Sequence, residues 1–209
     1  MDSRVVSLIE NWQKRNITGI SCPDSAKALE LLLEAIPKDA SVGISGSVTL
    51  DTLGAVKQLE ARGNKVYNQY QEGISRGESM ELRRQGTLAD YYLASANAIS
   101  QQGELVFFSA YGNRISGISY AKNVIIIAGK NKIVFDLEAA IKRAREYVTP
   151  LNCKRLGWKA PCVEEAGVCK DDLCVSPDYK RMCCQVLIIE GEVVPGRMKV
   201  ILVDEKLGF

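Results

Sequence analysis

Residues 42–54 read VGISGSVTLDTLG. Val42 to Ser45 form a short apolar run, the chain then turns, and a helical pattern begins at once. Gly46 lets the turn take a positive φ or approach a ligand closely. Ser47 or Thr49 can cap the helix by accepting a bond from its first free N–H groups. Those N–H groups, at the positive end of the helix dipole, are an anion site in waiting. The spacing is neither GxGxxG nor GxxxxGK[ST], so it is not a dinucleotide fingerprint or a P-loop. On its own the stretch reads equally well as an anion cradle or as a capped turn.

The strand-to-helix step recurs on both sides. Strand-like runs lie at 65–68, 91–94, 105–108 and 124–128. Upstream, residues 3–14 set Val5, Leu8, Ile9 and Trp12 on one helical stripe. A helix opening near Pro23-Asp24-Ser25 carries Leu29, Leu32, Leu33 and Ile36 and ends at Pro37. The helix after the quoted turn carries Leu50, Leu53, Val56 and Leu59 and ends at Gly63. Residues 78–89 are helix-compatible, and Leu137, Ala140, Ile141, Ala144 and Val148 define another helix that stops at Pro150. Near-continuous apolar strands alternating with amphipathic helices predict an α/β fold, a mostly parallel sheet with helices on both faces. Two strands, 185–190 and 197–203, are joined by the hairpin-like GEVVPG. The chain reads as a single domain, 1–209, with a Cys-rich loop at 152–184.

In such sheets, ligands sit beyond the carboxyl ends of the strands. There the sequence supplies small, polar and cationic residues: 97–104 after the run at 91–94, 109–117 after that at 105–108, and 129–132 after that at 124–128. The candidate ligand-binding set is therefore Ser45, Gly46, Ser47 and Thr49, with Asn97, the Gly112-Asn113 turn, Arg114, Lys130, Asn131 and Lys132. Arg suits bidentate recognition of carboxylate or phosphate, and Lys acts as a point charge. Lys142, Arg143 and Arg145 read as a solvated helix face. Trp158 reads as a cover for part of the core or an interface.

Composition narrows the chemistry. The chain has 209 residues, 46% hydrophobic and 25% charged, as folded proteins have. A net charge of +2 gives no footprint for nucleic acid or an anionic membrane. The run at 123–129 is too short to span a bilayer, and the N-terminal stretch lacks a signal-peptide core; the expectation is a cytoplasmic protein. Histidine is absent, which excludes Ser-His and Cys-His catalysis and every His metal site. Proton transfer is left to carboxylates, Lys, Tyr or thiols; Glu104, Asp90 and Lys132 are the acid/base candidates. Six of the seven cysteines, Cys153, Cys162, Cys169, Cys174, Cys183 and Cys184, cluster late in the chain, while Cys22 stands alone as a packed thiol. Cys162, Cys169, Cys174 and Cys183 (or its neighbour Cys184) are the candidate ligands for zinc or an iron–sulfur cluster. Reversible disulfides and unligated thiols are the alternatives. The spacing C-x6-C-x4-C-x8-C-C is neither a zinc-ribbon nor a ferredoxin pattern.

VGISGSVTLDTLG, LADYYLASANAISQQGELVFFSAYGNRISG, VIIIAGKNKIVFDLEAAIKRAR, the PC…C…C…CC segment and the ending KVILVDEKLGF together resemble the LUD domain family, the lactate-utilisation group that includes lactate utilisation protein C. The resemblance spans nearly the whole chain. The Cys spacing is stretched here, by Lys170-Asp171-Asp172-Leu173 and by Tyr179-Lys180. The resemblance implies a fold similar to the sugar-phosphate isomerase, glucosamine-phosphate deaminase and CoA-transferase superfamily, in which the loop at 45–49 receives phosphate, carboxylate or CoA groups. It also implies a part in L-lactate oxidation beside iron–sulfur partner proteins. Three functions follow as expectations: a lactate-utilisation protein binding a small anionic metabolite or nucleotide, a stand-alone sugar-phosphate isomerase or acyl-CoA transferase, and a metal- or redox-sensing module. Homo-oligomerisation is left open.

Overall fold

The structure, a computed structural model, describes residues 2–164, 169, 174 and 178–209. Its centre is a six-stranded sheet in the order β1 (Thr18–Cys22), β10 (Met198–Val203), β7 (Asn123–Gly129), β4 (Tyr91–Ala94), β2 (Val42–Ile44) and β3 (Val66–Tyr67), with every neighbour parallel. The middle strands NVIIIAG and MKVILV are rich in β-branched residues. Branched side chains suit a pleated surface buried on both faces, which is where a parallel sheet puts them.

Alternation along these strands feeds two cores. Tyr92, Ala94, Val124, Ile126, Val200 and Leu202 face one side, and Leu93, Ile125, Ile127, Ile201 and Val203 face the other. The second side is covered by α2 (Ser25–Ala35), α3 (Val48–Thr52) and α4 (Ala55–Ala61), through Leu32, Leu50 and Leu59. The first side takes α1 (Ser3–Lys14), through Val5, Leu8 and Trp12, and α6 (Asn113–Tyr120), through Ile118. It also takes a second sheet that the periodicity did not separate from the first: β8 (Ile133–Val134), β5 (Ala98–Ser100), β6 (Leu105–Ser109) and β9 (Gln185–Ile189). Leu105 and Phe107 face the main sheet, while Val106 and Phe108 face α7 (Leu137–Arg143).

Caps fix the helix starts. Asp24 accepts from the Lys27 N–H at 2.8 Å, and Asp136 from that of Ala139 at 2.8 Å. Ser75 and Glu78 form a reciprocal capping box at the head of α5 (Arg76–Gly86).

Three expectations are corrected. The strands at 185–190 and 197–203 are not a hairpin: β9 pairs antiparallel with β6, whereas β10 lies between β1 and β7, because Val200 to Val203 are apolar on both faces and belong inside the parallel sheet. The helix of Leu50 and Leu59 is broken in two at Gly54, which takes φ +64°. And Pro150 does not end its helix. After α7 the chain widens into one π-helical stretch, Ala144–Val148, and continues as α8 (Thr149–Arg155), with α9 (Pro161–Glu164) beyond. The π turn removes the backbone bond that proline would otherwise break, and the Thr149 hydroxyl donates to the Ala144 carbonyl at 2.9 Å. No helix among the described residues is long and apolar enough to cross a membrane.

Candidate functional site

The carboxyl ends of β2, β4 and β7 meet at one rim. Ser45 extends the ladder, its N–H donating to the Leu93 carbonyl at 3.0 Å. At Gly46 a Cβ would overlap the Tyr70 hydroxyl, so the glycine is there for close approach. Ser47 is the cap, its Oγ accepting from the Leu50 N–H at 3.3 Å. The helix it caps, α3, has five residues, too short to aim much of a dipole at an anion. The charge at this rim comes from side chains instead.

Thr49 turns inward. Lys132, in the single 3-10 turn after β7 (Lys130–Lys132), donates from Nζ to Thr49 Oγ1 at 3.1 Å and to Ser95 Oγ at 2.7 Å. Ser95 donates in turn to Thr49 Oγ1 at 3.2 Å, and Thr49 to the Leu207 carbonyl at 3.4 Å. Lys132 is only 4% exposed. Burial, with the charges of Arg143 and Arg114 adding to it, brings its ammonium pKa down to about 7. Arg114, on α6, donates to the Asn97 side chain at 3.2 Å, to the Phe108 carbonyl at 3.0 Å and to the Gly46 carbonyl. It thereby ties the second sheet to the rim of the first. Arg143 is not on a solvated face: it reaches back to the Asn97 carbonyl at 2.6 Å and the Asn131 carbonyl at 3.1 Å. Among the described residues none of these three cations is in an ion pair. Lys132 and Arg114 border an inner chamber of about 40 Å³ whose walls also include Ser47, Thr49, Ser95, Asn97 and Phe209, and Arg143 lies behind it on the Asn97 and Asn131 carbonyls.

The remaining candidates lie around this chamber or away from it. Asn131 holds the chain end across it, donating to the Gly208 carbonyl at 3.3 Å and accepting from the Leu207 N–H at 3.1 Å. Gly208, at φ +62°, lies so close that a Cβ would come within 2.8 Å of Thr49 Oγ1. Gly112 opens α6 at φ +85°, and Asn113 accepts the Tyr92 hydroxyl on its carbonyl at 2.9 Å. Lys130 points to solvent and pairs with Asp204 at 2.6 Å. Glu104 and Asp90 are off this rim. Glu104 is held by Arg15 at 2.8 Å and by Ser100, and Asp90 by Ser41 at 2.7 Å and Lys122 at 3.0 Å. Both carboxyls sit below their usual range: in Glu104 burial opposes the Ser100 and Arg15 contacts and loses, and in Asp90 the Ser41 bonds lead. Of the three acid/base candidates, only Lys132 lines the chamber.

Outside Arg114 the chamber adjoins a wider cleft of about 270 Å³, bordered by Ser45, Gly46, Asn113 and Arg114 and by residues that the sequence did not single out: Tyr70, Arg83, Tyr111, Asn152 and Arg155. Trp158 joins them, edge-on to Tyr111 with centroids 6.0 Å apart. Arg83 lies over both Tyr70 and Tyr111, at 5.6 and 5.4 Å. Asn152 and Arg155 reach the cleft only because α8 continues past Pro150, so a reading that stopped the helix there had no means of finding them.

On its other side α8 carries Cys153, fully buried. Cys153, Cys162, Cys169, Cys174 and Cys183 all line one small apolar cavity of about 20 Å³. Cys153 was not among the candidate ligands. Burial, then the neighbouring thiols, pushes its pKa up to about 12, and raises those of Cys162 and Cys174. Five thiols are a soft-metal donor set in their chemistry, yet among the described residues no three metal-ligating side chains are gathered for one ion. Cys184 is exposed, and the Lys170–Leu173 insertion lies outside the described residues. Cys22 is buried, its thiol pushed up to about 11 chiefly by burial.

The crystal structure of a DUF162 family protein from Deinococcus radiodurans is similar to this chain, with a TM-score of 0.48 and 13% identity, covering 96% of this chain and 94% of that one. No curated protein matches. The LUD domain profile matches residues 6–203, nearly the whole chain, and by that match the chain belongs to the LUD domain family.

Proposed function

We propose that the inner chamber binds the carboxylate or phosphate of a small metabolite, and that the protein serves L-lactate oxidation beside an iron–sulfur oxidoreductase. The observation that carries the first part is Lys132: a buried ammonium flanked by two guanidiniums, with no Asp or Glu side chain lining the chamber among the described residues. A buried charge calls for a partner of opposite sign, and here a ligand anion would be that partner. Membership of the LUD family supports the lactate context. The stand-alone acyl-CoA transferase and isomerase readings draw less support, because neither Glu104 nor Asp90 lines the chamber and Lys132 is the one candidate acid or base there.

Calorimetric titration of the protein with lactate, pyruvate and orthophosphate tests the reading. Binding is expected, and Lys132→Met should weaken it about 10- to 100-fold, the worth of a charge-assisted hydrogen bond. Binding of equal strength in the variant would remove the chamber from consideration.

A second reading concerns the thiol cavity. We propose that four thiols of this cavity, Cys153 with three of Cys162, Cys169, Cys174 and Cys183, close on a soft metal, zinc or an iron–sulfur cluster, when it binds, the lining of one cavity by all five being the support. Such a group would clip the Cys-rich segment to α8. Metal and sulfide analysis of anaerobically purified protein tests it, and fully alkylatable thiols in metal-free, sulfide-free protein would refute it.

A further inference from the structure

The inner chamber and the outer cleft share Gly46, Arg114 and Asn152 as a common wall, and they differ in character. The chamber is small, and its polar groups are hydroxyls, amides and two cations. The cleft is larger and carries four aromatic rings, those of Tyr70, Phe108, Tyr111 and Trp158, with a guanidinium lying over two of them, and the Met182 thioether. Among the described residues no Asp or Glu side chain lines either space. We propose that the two spaces receive one two-part ligand, a nucleotide, with its phosphate in the chamber and its base in the cleft against Tyr111 and Trp158. This rests on the anion reading above and deepens it.

Size and chemistry both favour such a ligand over a bare carboxylate. A small hydroxy or keto acid is satisfied by the chamber alone and leaves the aromatic wall idle. Cofactor and nucleotide sites typically combine a mostly apolar, aromatic wall with a few placed polar groups. A flat base gains from an aromatic edge or face and from a guanidinium plane, whichever base it is. Arg114 stands where the two parts of the ligand would join. It has already spent donors on the Asn97 side chain and on the Phe108 and Gly46 carbonyls, so its orientation is fixed in advance. Arg155 is held in a similar way, its Nε and Nη2 donating to Asn152 Oδ1 at 3.1 and 2.9 Å. The Tyr70 hydroxyl lies against Gly46, where a Cβ would displace it, which brings an aromatic ring to the boundary between the two spaces.

The chain offers a built-in reporter. It has two tryptophans: Trp12 is fully buried in the core, and Trp158 lines the cleft. The experiment titrates the full chain with the four ribonucleoside 5′-monophosphates, with the matching nucleosides and with orthophosphate, by calorimetry and tryptophan emission. At least one nucleotide should bind tenfold or more tightly than orthophosphate and change the emission. The emission change should vanish in Trp158→Phe, which keeps a ring. Trp158→Ala and the independent Tyr111→Ala should weaken nucleotide binding about 5- to 150-fold, the measured range for losing one stacking partner, and leave orthophosphate binding within twofold. Nucleotides that bind no better than orthophosphate, or that ignore both ring variants, would overturn the proposal and leave the anion reading standing. If orthophosphate, lactate, pyruvate and every nucleotide all fail to bind, the anion reading itself falls and takes this one with it.

Discussion

Helix α8 separates two buried clusters that answer burial in opposite ways. On one side Lys132 is pressed toward its neutral amine, with a pKa near 7. On the other Cys153 is pressed toward its neutral thiol, with a pKa near 12. The cause is the same in both, because loss of water penalises whichever form is charged. The consequence differs. The lysine is recharged by an anion, the thiols by a cation. One helix thus lies between a region suited to negative ligands and one suited to soft metals. Asn152 borders the outer cleft while its amide lies 3.4 Å from the Met182 sulfur, and Met182 lines the thiol cavity as well. The contrast teaches that the two clusters should be separable by experiment even though they share a wall.

The largest expected effect comes from cutting one side only. Lys132→Met should lose most anion binding, as stated above, and leave the reactivity of the cysteines unchanged. It should not lower the melting temperature at pH 6, since a buried ammonium is exchanged for an apolar chain of similar length, and Ser95 and Thr49 still bond to each other at 3.2 Å. Thermal denaturation of both proteins at pH 6 reads this directly, and a fall of more than a few degrees would mean that the ammonium is a structural tie. From the other side, Cys153→Ala should diminish the thiolate-to-metal absorption that added cobalt(II) produces in the reduced protein, with orthophosphate affinity unchanged. Loss of anion binding in that variant would show the two clusters to be one.

The pH dependence carries opposite signs, and that is the next largest effect. Lys132 has its pKa lowered from 10.5 to about 7, so between those values the unfolded chain holds a proton that the native chain lacks. Its contribution therefore makes stability rise with pH across that window. Cys153 is raised from 9.0 to about 12, so above 9.0 the native chain keeps a proton that the unfolded chain has lost, and stability falls. Chemical denaturation should show a rise from pH 7 toward 9 that Lys132→Met abolishes, a levelling from 9 to 10.5 where the two groups oppose each other, and a decline above 10.5 that Cys153→Ala reduces. Anion affinity should weaken above pH 7 by up to tenfold per unit, as the ligand must bring a proton to Lys132. An affinity that stayed flat from pH 6 to 9 would mean that the amine is not the anion's partner.

How much of this was legible in the sequence follows from the range of the forces. The main sheet was readable because Val124 to Ala128 and Val42 to Ser45 are local apolar runs with local turn chemistry. The cap at Ser47 was readable for the same reason. The second sheet was not. Leu105 to Phe108 have the composition of a core strand, and nothing nearby says which sheet they join; pairing with Gln185–Ile189 is settled across some eighty residues by the shape of the core. The cations show the same divide. Lys130 and Lys132 are equivalent in the sequence, yet the 3-10 turn sends one to Asp204 and solvent and buries the other. Arg143 looked like surface because it stands in a basic run with Lys142 and Arg145, but Ala140 and Ala144 pack α7 into a core and Arg143 reaches back to the Asn97 carbonyl. The aromatic cleft depends on a π-helical turn that tolerates Pro150, and no residue pattern announces one.

The smallest effect is the sharpest probe of the hydroxyl relay. Thr49→Val keeps the shape and removes the oxygen that accepts from both Lys132 and Ser95. Lys132 is then left with Ser95, its other acceptor at 2.7 Å. Losing a hydrogen bond to a charged group costs about 1.5 to 3 kcal/mol, and to a neutral one about 0.5 to 1.5 kcal/mol. The destabilisation should therefore be larger at pH 6, where the ammonium predominates, than at pH 9, where the amine does. The same loss disfavours the charged form further and moves the midpoint of the stability rise below pH 7. Equal destabilisation at both pH values would mean that Thr49 serves packing and its bond to the Leu207 carbonyl, and the relay from Thr49 to Lys132 would have no part in holding the charge.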